Sequence, residues 1–519
     1  MFYFVPSWYN TTSKWGDNTP LWFRVFEQMT FDDTVNQLKM FYNVDEPSCA
    51  IILNYQPQLR YFLHKQDLIG LPYWSFFDDI QNIHRTEVQA IDFKSLNWPP
   101  KTTFVYTPFV VIAKHEGKIL AYINFAENGN LLDVDFRVEN QKDRTYQFDD
   151  RGFLSSILYY QNGVESHRDY LNENGVWQVR EHLTGDKQIE INLFADFSFG
   201  QRYYTNWEQL LEERLTLFSK EVLEDSDHLV IASNPQHNQL IMDNFPSQDK
   251  IFSFYHERDV TSQLSDLKKL HEIAKFFVVD TESMESTLRD AFHQNQLSDK
   301  TVMRISPFDT RLRLGHSQNV KELRIHFFID SISKTELFDN IETILGLMEN
   351  NRLIYLDLVT YDRNYPIKQV KDDITEMIAS KFHMEKFVTD GEDSGENKVD
   401  GAAEELDRVT LNLFTNENQV IKALDSARLV IDLGRHPNLY TQIASISAGV
   451  PQINAVKTEY VSHKENGWIL ADDKELSKAI HYYFDGLKNW NHSLVFSVQK
   501  MADYTSGRIL EQWKALLER

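Results

Sequence analysis

Leu429 to Leu470 reads LVIDLGRHPNLYTQIASISAGVPQINAVKTEYVSHKENGWIL, and its punctuation decides the fold class. Leu429-Val-Ile-Asp-Leu433 is a short, almost continuous apolar run, the mark of a strand covered on both faces. A loop containing Pro437 follows, then a helical stretch closed by Ala448-Gly449-Val450-Pro451, a strand at Gln452-Ile453, and Asn466-Gly467-Trp468-Ile469-Leu470 as the next. Strand, loop, helix and strand in this order make one winding of a parallel α/β sheet, and the N-terminus of such a helix is a natural diphosphate site.

The same alternation runs upstream. Leu323-Arg-Ile-His-Phe-Phe-Ile329, Leu353-Ile-Tyr-Leu356 and Val409-Thr-Leu-Asn-Leu413 are earlier strands of this series. A first series opens with Phe2 to Val5, a helical pattern of Phe31, Val35, Leu38, Phe41 and Tyr42, then Ala50-Ile-Ile-Leu53 and Phe104-Val-Tyr106. It resumes after an amphipathic helix (Trp207, Leu210, Leu211, Leu215, Phe218, Val222) with Leu229-Val-Ile-Ala232, Ile251-Phe-Ser-Phe254 and Phe276-Phe-Val-Val279. Between about 110 and 205 the texture changes to period two. Leu132, Val134, Phe136 and Val138 alternate with Asp133, Asp135, Arg137 and Glu139, and Ile189, Ile191 and Leu193 repeat the pattern. Asn128-Gly129, Asn162-Gly163 and Asn174-Gly175 are pairs that accept the positive φ of tight hairpin turns, which predicts an antiparallel meander with one wet face, inserted into the first α/β domain. The basic stretch around 300–322 reads as a connection, and the acidic, glycine-rich 389–407 as a solvated loop.

Composition narrows the function classes. A chain of 519 residues with 42% hydrophobic and 25% charged residues can bury about three domain cores. Its formal charge of −24 repels phosphate backbones and anionic headgroups, so general nucleic-acid binding is not expected. One cysteine, Cys49, allows no internal disulfide and suits a reducing compartment. The opening Met1 to Tyr9 has no basic region before Pro6, and no run of about 18 uncharged apolar residues occurs, so neither a signal peptide nor a spanning helix is expected and membrane association would come through a partner. No phosphate-binding Gly-x-x-x-x-Gly-Lys loop, no dinucleotide Gly-x-Gly-x-x-Gly and no His-Glu-x-x-His is present, so no cofactor and no metal are assigned.

The 429–470 segment resembles the donor-binding half of retaining GT-B glycosyltransferases. The insert segment 148–183 (FDDRGFLSSILYYQNGVESHRDYLNENGVWQVREHL) is similar to the extended β-sheet domain of the glycosyltransferases that modify serine-rich adhesins. Ile509, Leu510, Trp513, Leu516 and Leu517 are spaced like the last GT-B helix. The resemblance implies an α/β, GT-B-like fold: 1–110 with 206–305 as a discontinuous N-terminal Rossmann-like domain, 111–205 as an extended β-sheet insert, 323–490 as a C-terminal Rossmann-like domain facing the first across a cleft, and 491–519 as a helical segment returning to the first domain. Active retaining members carry two Glu residues with seven positions between them. Counting back from Pro451 puts them at His436 and Ala444, neither acidic, and the small Gly-rich loop after the first strand is replaced by Ser7-Trp8-Tyr9-Asn10. The implied chain is catalytically silent.

FYFVPSWY, FDDTVNQLKMF, YQPQLRYFLHKQ and SPFDTRLRLGHSQ resemble, over essentially the whole length, the glycosyltransferase-like family of accessory Sec secretion proteins in Gram-positive cocci. That resemblance implies a cytoplasmic, non-catalytic subunit, peripheral at the membrane only through the translocase. It would join sibling accessory Sec secretion proteins in a hetero-oligomer, bind N-acetylglucosamine-bearing serine-rich adhesin, and help deliver it to the accessory Sec motor ATPase and channel; a sibling carries the acetyltransferase site. Arg311, Arg313, His316 and His436 are the candidate ligand-cleft residues. The alternatives are an active GT-B enzyme using a UDP-sugar on Ser/Thr-rich protein, in which Arg311, Arg313 and His316 face the diphosphate, or a structural hub for the siblings.

Overall fold

The computed structural model describes residues 1–9, 14–16, 32–186, 188–196, 198–388 and 406–518. Asn10, Phe31 and nearly all of the acidic 389–407 segment lie outside them. The chain forms two compact units. One gathers the N-terminal strand with 41–279 and 284–303, and the other holds 304–519 with 280–283 and 32–40. The C-terminal helix Ser506–Leu517 falls in the second.

The first unit contains a seven-stranded sheet in the order Val302–Arg304, Phe276–Val279, Asp249–Phe254, His228–Ala232, Phe2–Val5, Ser48–Ile52 and Tyr73–Ser75. The registered pairs along it are parallel. Counted along the chain this is 3-2-1-4-5-6-7, the doubly wound order, whose switch point lies between Phe2–Val5 and His228–Ala232. Residues Phe2–Val5, Ser48–Ile52 and Phe276–Val279 are buried throughout, as continuous apolar strands require. The third strand is Tyr73–Ser75 and not Phe104 to Tyr106, because Thr103–Tyr106 pairs antiparallel with Val111–His115 and is mostly exposed. The 300–322 stretch likewise holds more than a connection, since Val302–Arg304 is the sheet's last strand.

The insert is a ten-stranded antiparallel meander running from Thr103–Tyr106 to Tyr203–Tyr204 in unbroken sequence order. Asn162 and Gly163 both take positive φ, 53° and 78°, at the two-residue turn expected there. Its wet face is less extensive than alternation predicts. Asp133 is buried and accepts from Asn124 Nδ2 at 2.5 Å, while Val138 and Leu193 are exposed, Leu193 because its strand ends at Ile191. Val111, Ala113, Ile123, Val134, Phe136 and Phe148 form one core, whereas Tyr170, Val179, Ile189 and Ile191 share the core of the parallel sheet with Tyr55, Phe77 and Trp207. Half of the insert is therefore fused to its host by a common interior.

The second unit repeats the doubly wound order 3-2-1-4-5-6 with Val409–Leu413, Ile354–Thr360, Leu323–Phe328, Ala427–Asp432, Gln452–Asn454 and Gly467–Ile469. Its switch point lies between Leu323–Phe328 and Ala427–Asp432. The helix between the fourth and fifth strands, Leu439–Ala448, ends at Gly449 in the left-handed region (φ 71°), where a side chain would meet Leu494. Ser506–Leu517 buries Ile509, Leu510, Trp513 and Leu516, with Leu517 only half-buried.

Candidate functional site

In doubly wound sheets ligands bind beyond the carboxyl ends of the strands at the switch point. In the second unit that position holds Asp330 and Asp432. Asp432 Oδ2 accepts the Asn438 amide at 2.7 Å, and Oδ1 accepts the Gly434 amide at 3.2 Å and the Ser331 hydroxyl at 3.1 Å. Asn438 caps the helix, its Oδ1 accepting the Thr441 amide at 2.8 Å and the Thr441 hydroxyl at 2.9 Å. Gly434 is required by close approach, since a Cβ there would lie 1.9 Å from Ser331 Oγ. Burial pushes the Asp432 carboxyl up to about 6 against the opposing pull of these donors. Asp330 is also raised by burial; Thr360 donates to its Oδ1, and the Tyr361 amide to Oδ2 at 2.7 Å. A carboxylate of the chain thus takes the cap residue's amide, one of those an incoming phosphate would use, together with the Gly434 amide in the loop before it.

His436 is exposed in the loop between Gly434 and Asn438. Ala444 sits half-buried on the helix, packed with Tyr440 and Phe414 against Phe328, Val359 and Tyr361. The backbone of 311–315 runs along the far end of the same helix, the Arg311 amide donating to Ser447 Oγ at 3.3 Å, Arg313 to the Ser447 carbonyl at 3.3 Å and Gly315 to that of Ala448 at 3.1 Å, while His316 donates to the Asp425 carbonyl of the preceding helix Glu417–Ser426 at 2.7 Å. Arg311, Arg313 and His316 are exposed, with Arg311 Nε 3.6 Å from Asp309. His436 thus precedes this helix while the 311–316 backbone passes its C-terminal end, and no hydrogen bond or ion pair joins His436 to Arg311, Arg313 or His316 among the described residues.

At the switch point of the first unit the segment Ser7-Trp8-Tyr9 is pinned from three directions. Asn234 Nδ2 donates to Ser7 Oγ at 2.7 Å, Asn54 Nδ2 to the Trp8 carbonyl at 2.8 Å, and the Tyr9 hydroxyl meets His237 Nδ1 at 2.6 Å. His237 is completely buried, and desolvation drives it down to about 3, so it is neutral and Nδ1 can accept the Tyr9 proton. A Gly-rich loop leaves room for a ligand here; Trp8 and Tyr9 fill it.

A third polar region escaped the sequence reading. Arg60 Nε and NH2 donate to Asp150 (2.6 Å) and Asp149 (2.7 Å). Arg151 holds Asp149 through Nε at 2.8 Å and Asp78 through both terminal nitrogens at 2.9 and 2.8 Å. Arg214 grips Asp79 in a fork at 2.6 and 3.0 Å. Asp149 and Asp150 are both buried, which by itself raises a carboxyl; at Asp149 the neighbouring guanidinium groups outweigh burial and hold it low, whereas Asp150 stays raised. Arg60 comes from the block YQPQLRYFLHKQ and Asp149 to Arg151 from the turn FDDRG, so two stretches legible as family marks meet in one network. The signal available is the run Asp149-Asp150-Arg151, acidic and basic residues side by side.

Among the described residues no cluster of three or more metal-binding side chains occurs and no helix is long and apolar enough to cross a membrane. Residues 1–519 match the family of the accessory Sec system protein known as accessory secretory protein 1. The accessory Sec system protein of this kind from Streptococcus gordonii is 35% identical over 526 residues, covering 100% of this chain and 99% of that protein. The structure is similar to the Glycosylation Associate Protein (Gap123) complex from Streptococcus agalactiae (37% identity, TM-score 0.79, 99% of each chain). It is also similar to accessory secretory protein 1, 2 and 3 of Streptococcus pneumoniae (31%, TM-score 0.80, 100% of this chain and 99% of that one). The pneumococcal O-GlcNAc transferase GtfA in complex with UDP and GlcNAc matches at 12% identity and TM-score 0.69 over 100% and 98% of the chains, a likeness of fold alone. The architecture is GT-B-like.

Proposed function

Because the chain belongs to the accessory secretory protein 1 family of the accessory Sec system, we propose that it is a non-catalytic, glycosyltransferase-like subunit of a cytoplasmic export complex. In this reading it joins sibling accessory Sec secretion proteins, binds serine-rich adhesin bearing N-acetylglucosamine, and helps pass it to the accessory Sec motor ATPase. The observation that carries the reading is Asp432. Its carboxylate takes the Asn438 cap amide and the Gly434 loop amide beside the helix N-terminus where a sugar nucleotide would place its diphosphate, and an anion brought there would meet a like charge. The positions for ribose-binding carboxylates hold His436 and Ala444; alanine has no side-chain hydrogen bond to offer. Neutral sugars are held by hydrogen bonds and aromatic contact, so a charge of −24 does not oppose this client.

Two measurements test the reading together. Purified protein incubated with UDP-N-acetylglucosamine and a Ser/Thr-rich peptide is expected to release no UDP and form no glycopeptide above background. Titration with that peptide, bare and N-acetylglucosamine-modified, is expected to show binding of the modified form only. Steady UDP release would establish an active transferase, and equal indifference to both peptides would leave a structural hub.

A further inference from the structure

A cavity of about 590 Å³ opens in the first unit beside the edge strand Tyr73–Ser75, bordered by Arg151 and Arg214. Its size is that of a small-molecule site. Two aromatic rings of the edge strand border it from opposite faces of that strand: Tyr73, beside Arg60, and the half-buried indole of Trp74, which is stacked on Phe218 at 4.6 Å and 26° and whose Nε1 makes no hydrogen bond among the described residues. The floor is the guanidinium–carboxylate ladder. Asp78 and Asp79 are about one-fifth exposed and each accepts an arginine fork, which leaves further lone pairs open to the cavity. Arg85, on the rim, donates to the Gly152 carbonyl and to Gln89 Oε1 but makes no ion pair among the described residues.

The charges decide the ligand class. Four arginines, at 60, 85, 151 and 214, line the cavity, and Asp78, Asp79, Asp149 and Asp150 match them at the wall and just behind it. Glu173 adds a further carboxylate by accepting the Arg85 amide at 2.5 Å, so the site has no net positive charge to attract a phosphate, and each of these carboxylates is already shared with a donor, leaving a cation none free. It does offer fixed acceptors, the outward lone pairs of Asp78 and Asp79, and spare donors on the Arg85 guanidinium, beside two aromatic rings. That is what a pyranose needs, with hydroxyls that both donate and accept and a ring face of C–H groups. We propose that this cavity binds a neutral pyranose, the N-acetylglucosamine carried by the client, at a position separate from both switch points. The inference rests on the reading of the chain as a receptor for glycosylated polypeptide.

The test uses the full chain and an N-acetylglucosamine-modified serine-rich peptide, with the bare peptide, UDP and inorganic phosphate as controls. Arg85→Ala and Trp74→Leu are each expected to weaken glycopeptide binding roughly tenfold, as truncated anchors do, and Thr86→Trp, which plugs the rim without touching the ladder, to abolish it. Saturation transfer from protein to free N-acetylglucosamine should vanish in the plugged variant. If the wild type binds glycopeptide and all three variants bind it equally, the sugar lies elsewhere and only this proposal falls. If the wild type does not distinguish glycopeptide from bare peptide, the receptor reading falls and takes the cavity with it. Displacement of glycopeptide by phosphate or UDP would overturn the neutral-ligand assignment.

Discussion

Two polar regions of the molecule, the helix N-terminus at Asp432 and the ladder around Arg151, are both built from buried carboxylates, yet they end in opposite states. At Asp432 the surrounding donors are backbone amides and a serine, and the carboxylate consumes them. At Arg151 the donors are guanidinium N–H groups, all five engaged by Asp149, Asp78 and the Arg85 carbonyl, while the carboxylates of Asp78 and Asp79 keep lone pairs over. An anion site closes when the chain supplies its own anion; an ion-paired ladder whose outer carboxylates keep lone pairs stays available to neutral ligands.

The comparison breaks most visibly at the ladder. Arg151→Met leaves Asp149 and Asp78 without a principal partner and is expected to cost about 3–5 kcal/mol, read as a shift of the urea midpoint, with Asp149→Leu added to it recovering part of the loss. No loss in the single variant would make the ladder a surface ornament. The Asp432 end is distinguished by pH. Its folded pKa of about 6 lies above an unfolded value of about 3.9, so its contribution is most favourable below pH ~4 and is lost as pH rises through ~6, to the extent of about 3 kcal/mol. Asp432→Asn should remove that part of the stability–pH slope; an unchanged slope would show that the carboxyl is not desolvated.

Smaller effects sharpen the contrast. Gly152, in the turn that carries Arg151, has φ of 90°, and a Cβ there would lie 1.7 Å from the Gln89 carbonyl. Gly152→Ala is therefore expected to cost about 1–3 kcal/mol and to loosen the cavity rim, visible as faster amide exchange at Gln89. Asn438→Ala removes the helix cap and should cost about 1 kcal/mol in thermal unfolding. The double change His436→Glu with Ala444→Glu is expected to yield no transferase turnover, because Asp432 still holds the Asn438 and Gly434 amides; turnover would show that the missing carboxylates alone silence the scaffold.

Much of this was legible in the chain. Apolar runs at Phe2–Val5, Phe276–Val279 and 429–433 announce strands covered on both faces, and Asn162-Gly163 announces its turn because positive φ is costly for other residues. Glu116-Gly117 and Glu139-Asn140 make turns of the same kind without an Asn-Gly signature. Pattern alone misplaces Thr103–Tyr106, because a four-residue β-rich run has no mark of its sheet; only the partner strand decides, and that is a long-range fact. The silent donor end could be read from His436 and Ala444, but Asp432 looked like one more strand residue. Its role depends on Gly434 and Asn438 curling back over it, which burial and geometry reveal and spacing does not.

The N-terminal strand has a consequence for synthesis. Phe2–Val5 pairs on one side with Ser48–Ile52 but on the other with His228–Ala232, and the N-terminal amine is 2.7 Å from Asp227. Translation at about 5–20 residues per second separates the first strand from that partner by tens of seconds, during which the whole ten-stranded meander emerges. A ribosome-bound chain would carry an unpaired parallel edge at the heart of its future sheet for that entire interval, an invitation to mispair that only the arrival of the His228–Ala232 segment withdraws.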